Sequence, residues 1–250
     1  MRGFQSNHVA AVAALVLGIP MAHADCGALP GWGQLKAALQ GAVAVERSGL
    51  NLQMWATIVD RDGIVCAVAF SGSDRGAQWP GSRVISAQKA NTANAFSLDA
   101  LVLSTANLYS AVQPGGSLYG LQHSNPVDTD VAYGGDPSQY GTPGDPMTGK
   151  RIGGVNVFGG GLALYDSNRK VVGAVGVSGD TSCADHMIGW RVRNRLHLDH
   201  LAGVNGVSGD PTRPDNIVYD LNPGTDKSAG GWGHPRCVNT APPRNLPAVE

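Results

Sequence analysis

Ser178, Asp185 and His186 fall within one short run, GAVGVSGDTSCADH, Gly173 to His186. A Val-rich apolar segment ends there in Gly-Val-Ser-Gly, and small residues at a strand end let a ligand approach the backbone closely. A helix opening just beyond would aim its unpaired N–H groups at the same place. Asp185 sits where a carboxylate complements the positive helix end. Capping accounts for it, and the alternative is a role with His186 as metal ligand or base. His197 and His200 stand three apart, a spacing that binds a metal when both lie on one helix face. No third ligand is near them in sequence, and capping of a helix C-terminus is the competing reading. Gly176 to Asp180 is not a nucleophile elbow, because Asp180 stands where the motif needs a second glycine. Gly144 to Arg151, GDPMTGKR, is not a phosphate loop: it follows no strand and lacks the Ser or Thr that would hold magnesium.

The elements that must position these residues follow from periodicity. Leu35 to Arg47 has apolar residues at helical spacing and Gly49 after it. Met54 to Val59 and Ile64 to Phe70 read as strands, with Asp60-Arg61-Asp62-Gly63 as the hairpin turn. Ser82 to Phe96 reads as a helix whose Ala87, Ala90 and Ala93 form a thin face able to lie close to a sheet. Leu98 to Val112 is expected to be a second helix. Leu162 to Tyr165 and Val171 to Val177 form a second hairpin, and Cys183 to Leu201 a last helix with Ile188, Val192 and Leu196 as its core stripe. Trp55 and Trp190 are expected inside. Gln113 to Gly161 is long, rich in Gly and Pro and aperiodic; loops of this size are usually functional. We read it as an ordered excursion over one face. The sum is an α+β fold, an antiparallel sheet built from two hairpins with packed helices.

The chain has 250 residues, a formal net charge of −1 and 15% charged residues. No basic patch is present, so nucleic acid is excluded as a partner. Arg2, the apolar run Val9 to Pro20 and Ala22-His23-Ala24 have the form of a signal peptide cleaved after Ala24. The expected mature chain, 25–250, is periplasmic or secreted with no membrane segment. It forms one domain with a core at about 35–201 and a C-terminal extension, 202–250. Its four cysteines, Cys26, Cys66, Cys183 and Cys237, are expected in two disulfides that pin the terminal tails; the pairing is open. No Cys-x-x-Cys or Cys-x-x-Cys-His occurs.

Three fragments in order carry a family resemblance: Asp60-x-x-Gly63 between strands, Lys89-Ala-x-Thr-Ala93 on a helix, and Gly173-Ala-x-Gly-Val-Ser-Gly179 followed by an acidic residue at a helix start. Over Leu35 to Leu201 the chain resembles the haem-binding family typified by the glycolate-operon protein, the haem-sensing protein of actinomycetes and the C-terminal domain of some corrinoid adenosyltransferases. The resemblance implies a profilin-like or PAS-like layout, a homo-oligomer, and non-covalent binding of haem or another tetrapyrrole as carrier, scavenger or sensor. It implies an iron site in Pro114 to Pro126, which makes His123 the first axial candidate and Tyr119 the second. It places Lys89 at the pocket edge to meet a ligand carboxylate, where position alone would give a solvated helix lysine. Arg83 is a further candidate for that role, and Ser178 lies beside the pocket. The histidine that the adenosyltransferase-type domains use on their first helix has no counterpart in Leu35 to Arg47. A metal-dependent enzyme acting on a small organic acid or cofactor, through Lys89, Asp185 and His186, is the alternative; an oligomeric interaction module is the third reading.

Overall fold

A computed structural model describes residues 25–250; the signal peptide expected at 1–24 lies outside the described residues. Strand β1 (Trp55–Asp60) and β2 (Val65–Phe70) form the first hairpin, β3 (Gly161–Tyr165) and β4 (Val171–Ser178) the second. All neighbours are antiparallel, in the order β2-β1-β4-β3, so the hairpins join through β1 and β4. The first turn is set by Asp60, whose Oδ1 accepts the N–H groups of Asp62 and Ile64 at 2.9 Å, and by Gly63 at φ 76°.

Both faces of the sheet are covered. Helix α1 (Trp32–Val43) and the last helix, α5 (Ser182–Arg195), pack on one face over Ile58, Leu164, Val175 and Val177. Helix α2 (Ser82–Ala95) packs on the other, where Ala87, Ala90 and Ala93 meet Val59, Val68 and Ala174. Double coverage is why the strands read as apolar runs without alternation. The alanine face brings α2 unusually close. A Cβ on Gly176 of β4 would lie 2.0 Å from the Ser86 carbonyl oxygen, and one on Gly161 of β3 2.4 Å from the Lys89 carbonyl oxygen. Trp55 and Trp190 are buried, as expected.

The excursion is ordered. It carries short helices α3 (Leu121–Ser124) and α4 (Thr129–Tyr133), and its Ala132, Met147 and Ile152 join the core beside α2. Two disulfides form: Cys26–Cys66 fastens the N-terminal segment to β2, and Cys183–Cys237 fastens the C-terminal extension to α5.

Three boundaries differ from expectation. Leu98 to Val112 is not an α-helix but a pair of tight turns, Thr105–Leu108 and Ser110–Val112, after a Leu98–Leu101 bridge. Ser104 starts that segment by donating its N–H and its hydroxyl to Asn107 Oδ1, at 3.0 and 2.9 Å, a local alternative to helix. The last helix stops at Arg195 instead of continuing to Leu201, and His197 adopts φ 53°. His197 and His200 therefore share no helix face, and His200 turns to Glu250 at 3.2 Å. Helix α1 begins at Trp32 and ends at Val43, before Arg47.

Candidate functional site

The end of β4 is where the two helical layers meet. Lys89 leaves α2, passes the sheet end and donates to the Val177 carbonyl at 3.1 Å and to Asp185 Oδ2 of α5 at 2.6 Å. Both side chains are buried. Asp185 Oδ1 also accepts the N–H of Asp180 at 2.9 Å, which closes the turn from strand to helix. Burial works against both charges: it pushes the Asp185 carboxyl up to about 6 and the Lys89 ammonium below its ordinary value, while their mutual attraction opposes both shifts. Glycine at 160 leaves room for the pair, since a Cβ there would stand 3.2 Å from Lys89 Nζ.

Arg83 is equally committed. It forms a two-bonded pair with Asp145, at 2.9 Å from Nε and 2.5 Å from Nη2, and donates a third bond to the Ala132 carbonyl. Tyr140 lies under its guanidinium, 3.6 Å from charge centre to ring centroid. Arg83 thus ties the excursion to α2. Ser178 is buried at the β4 terminus, opposite Trp55 of β1. Asp180, two residues on, accepts the N–H groups of Leu50 and Leu52 at 2.8 and 3.0 Å. Thr181 caps α5 through its side chain, so the Gly-Val-Ser-Gly-Asp run is a strand-to-helix turn.

His186 points elsewhere. It is fully buried against Trp190, and its Nε2 accepts the N–H of Ile217 at 3.1 Å. Desolvation holds it down at about 4, and so neutral. Among the described residues, neither Asp185 nor His186 belongs to a group of three converging metal donors.

His123 and Tyr119 are exposed on and just before α3, while Leu118 ahead of the helix and Leu121 at its start take the inward positions against Leu103, Leu108 and Val157. Neither lines a cleft shared with Ser178, and Lys89 and Arg83 open onto no main cleft among the described residues. The structure therefore brings Lys89, Asp185 and Ser178 to one sheet end. It does not bring His123, Tyr119 or Arg83 there.

Arg191, Arg195 and His197 lie together at a different place. A cleft of about 680 Å³ runs between α1 and the end of α5; its lining includes Ala37, Ala38 and Leu196, the polar Gln34 and Asn194, and Arg191, Arg195 and His197. Arg191 shares Glu46 at 3.2 Å, while Arg195 has no ion-pair partner among the described residues. The left-handed turn at His197, directly after the helix, sets that residue at this cleft. Reading α5 through to Leu201 hid this, because it put His197 on a helix face. The alternating Arg191, Arg193 and Arg195 were the available signal. Arg193 itself is buried with Asp215, at 2.6 Å. A lining that mixes Ala37, Ala38 and Leu196 with Gln34, Asn194, Arg191, Arg195 and His197 can hold a small ligand that carries carboxylates.

Residues 34–192 match the family model described as "Haem degrading protein HbpS-like". No curated protein matches the sequence. Among solved structures, protein ORFY of Klebsiella pneumoniae is 27% identical, with a TM-score of 0.45 over 66% of this chain and 86% of that one. A PduOC:heme complex is 23% identical, with a TM-score of 0.45 over 65% and 89%. A double mutant of Streptomyces reticuli HbpS is 16% identical, with a TM-score of 0.43 over 75% and 97%.

Proposed function

This chain belongs to the HbpS-like family, and from that premise we propose that it is an exported protein that binds haem or a related tetrapyrrole non-covalently. The binding place in this reading is the cleft between α1 and the end of α5. Haem asks for an apolar slot, an axial donor, and cations for its two carboxylates. The observation that carries the reading is the company His197 keeps: Arg195 and Arg191 stand with it around Ala37, Ala38 and Leu196. A cleft of about 680 Å³ lies within the usual size of small-molecule sites, roughly 300–1,000 Å³.

His197 would be the axial donor, and Arg195, which has no ion-pair partner among the described residues, would meet a carboxylate. Bound there, haem supplies a redox-active iron at the protein surface. The protein's part is to hold the macrocycle edge by charge and its face by apolar contact. Lys89 and Arg83, which the family resemblance pointed to, each already have a carboxylate within the fold. Linkage through thioether bonds has no support, since all four cysteines are in disulfides and no Cys-x-x-Cys-His occurs. The disulfides, with the leader-like first residues, support export as one domain over 25–250. His123 and Tyr119 are the competing donors, free because they are exposed.

The test is a hemin titration of the purified protein followed at the Soret band, repeated with His197→Ala, His123→Ala and Tyr119→Phe. A shifted band that is lost only in His197→Ala supports the assignment. Loss in His123→Ala or Tyr119→Phe with His197→Ala unaffected moves the donor to the excursion. No shift in the native protein refutes haem binding.

A further inference from the structure

The Cys183–Cys237 disulfide has a third potential ligand beside it. One imidazole nitrogen of His234 and the two sulfurs all lie within 4.8 Å of one another. His234 is buried at 1% exposure. Its Nδ1 faces the Pro235 carbonyl at 2.7 Å, and a carbonyl can only accept, so the ring proton sits on Nδ1. Nε2 then carries a bare lone pair, and no donor satisfies it. A buried acceptor left unpaired is costly. The same tautomer, held by a carbonyl on the other nitrogen, is the one metal-bound histidines use. Desolvation keeps the ring neutral by pushing its pKa down to about 4.

The sulfurs stand at the N-terminus of α5. Cys237 Sγ accepts the N–H of Cys183 at 3.2 Å and lies 3.5 Å from Ser182 Oγ. Backbone N–H groups at a helix start stabilise thiolate over thiol. Two thiolates and an imidazole are the donors that thiophilic ions such as zinc or copper(I) prefer, and a zinc bound to them would have sulfur at about 2.3 Å and nitrogen at about 2.0 Å. Opening the S–S bond is the change needed to seat an ion among them.

We infer that Cys183, Cys237 and His234 form a metal site for a thiophilic ion that the disulfide holds closed and that opens on reduction. The step balances with an external dithiol as reductant. It gives two electrons, leaves as its own disulfide, and passes two protons to the Cys183 and Cys237 sulfurs; these protons are released as the ion binds the two thiolates. The site joins α5 to the C-terminal extension, so the ion would replace the covalent tie with a coordinate one. This inference stands apart from the proposed haem cleft, which shares none of these residues.

The experiment uses the full mature chain, oxidised and after reduction by a phosphine without air, titrated with cobalt(II) as a spectroscopic stand-in for zinc. The expected result is one cobalt per reduced chain with a thiolate-to-metal charge-transfer band, and none in the oxidised protein. His234→Ala should weaken binding at least about tenfold, and Cys183→Ser/Cys237→Ser should abolish it. Cys26→Ser/Cys66→Ser should leave it intact, which separates this site from the other disulfide, where Asp60 is the neighbouring donor. Circular dichroism of each reduced sample reports the fold. A reduced, folded chain without the band, undiminished binding in His234→Ala, loss in Cys26→Ser/Cys66→Ser, or unfolding on reduction alone would each overturn the inference.

Discussion

Lys89 and Asp185 meet at 2.6 Å although the sheet lies between their helices. The pair joins α2 to α5 around the end of β4, and with both groups buried, each depends on the other. Removing one partner of such a pair leaves an unpaired buried charge and costs about 3–5 kcal/mol. Asp185→Asn is therefore expected to lower unfolding free energy by about that amount in urea denaturation. The double change Lys89→Met/Asp185→Leu should recover more than half of the loss. Asp62→Asn, which breaks the exposed pair with Arg151, should change stability by under about 1 kcal/mol. Equal losses for the single and double variants would show that the pair acts by something other than mutual neutralisation.

The close seat of α2 makes a second prediction. Gly176→Ala would push a methyl to 2.0 Å from the Ser86 oxygen and 2.4 Å from the Ala90 nitrogen, both backbone atoms that cannot rotate away. A loss of at least about 3 kcal/mol is expected, at the upper end of overpacking costs. Gly33→Ala is the control. Gly33 lies in α1 with nothing within 4 Å of its added Cβ, so it should gain about 0.5–1 kcal/mol from helix propensity. Thermal unfolding of the two variants beside the native protein decides the matter.

The hairpins and the alanine face were legible because they are local: turn residues at Asp60 to Gly63, apolar runs on either side, and alanines at helical spacing in α2. Lys89 and Asp185 could be singled out but not paired, since 96 residues separate them and pairing depends on how two layers close at a strand end. The candidate donors for the proposed haem site fared differently. His123 stands in a segment with no periodicity, and only the inward turn of Leu118 and Leu121 leaves it outside. His197 was visible as half of a metal pair. Its actual neighbours come from α1, far away in sequence, and from a helix that stops two residues sooner than the imidazole.

Stability should fall in mild acid because of His186 and His234. Both are buried and held at about 4, below the ordinary 6.5. A group whose folded pKa is depressed stabilises the fold above its unfolded pKa, and that share is lost as pH falls from 6.5 through 4. Each histidine accounts for roughly 3 kcal/mol across that window. Asp185 works the other way. Its folded pKa is raised to about 6, so its contribution is full below 3.8 and fades as pH rises through 6. Two histidines outweigh one carboxylate, and urea midpoints at pH 7, 5.5 and 4.5 should fall in that order. His186→Phe should flatten the slope. A midpoint that rises on acidification would show that Asp185 dominates.

The two parts of the proposed cleft can be separated with iron-free protoporphyrin. It keeps the carboxylates and the apolar face but has no metal to take a nitrogen donor. Arg195 has no partner among the described residues, so its guanidinium is available to a carboxylate. A charge-assisted bond of this kind contributes about 1.5–3 kcal/mol, or roughly ten- to a hundredfold in affinity. Arg195→Glu should therefore weaken haem and protoporphyrin alike by that factor, and added salt should weaken native binding in parallel. His197→Ala should weaken haem and leave protoporphyrin unchanged, because the imidazole acts only on the iron. Fluorescence quenching of the tryptophans measures both ligands on one scale. A His197→Ala protein that loses both ligands equally would place His197 in the wall of the cleft and not on the iron.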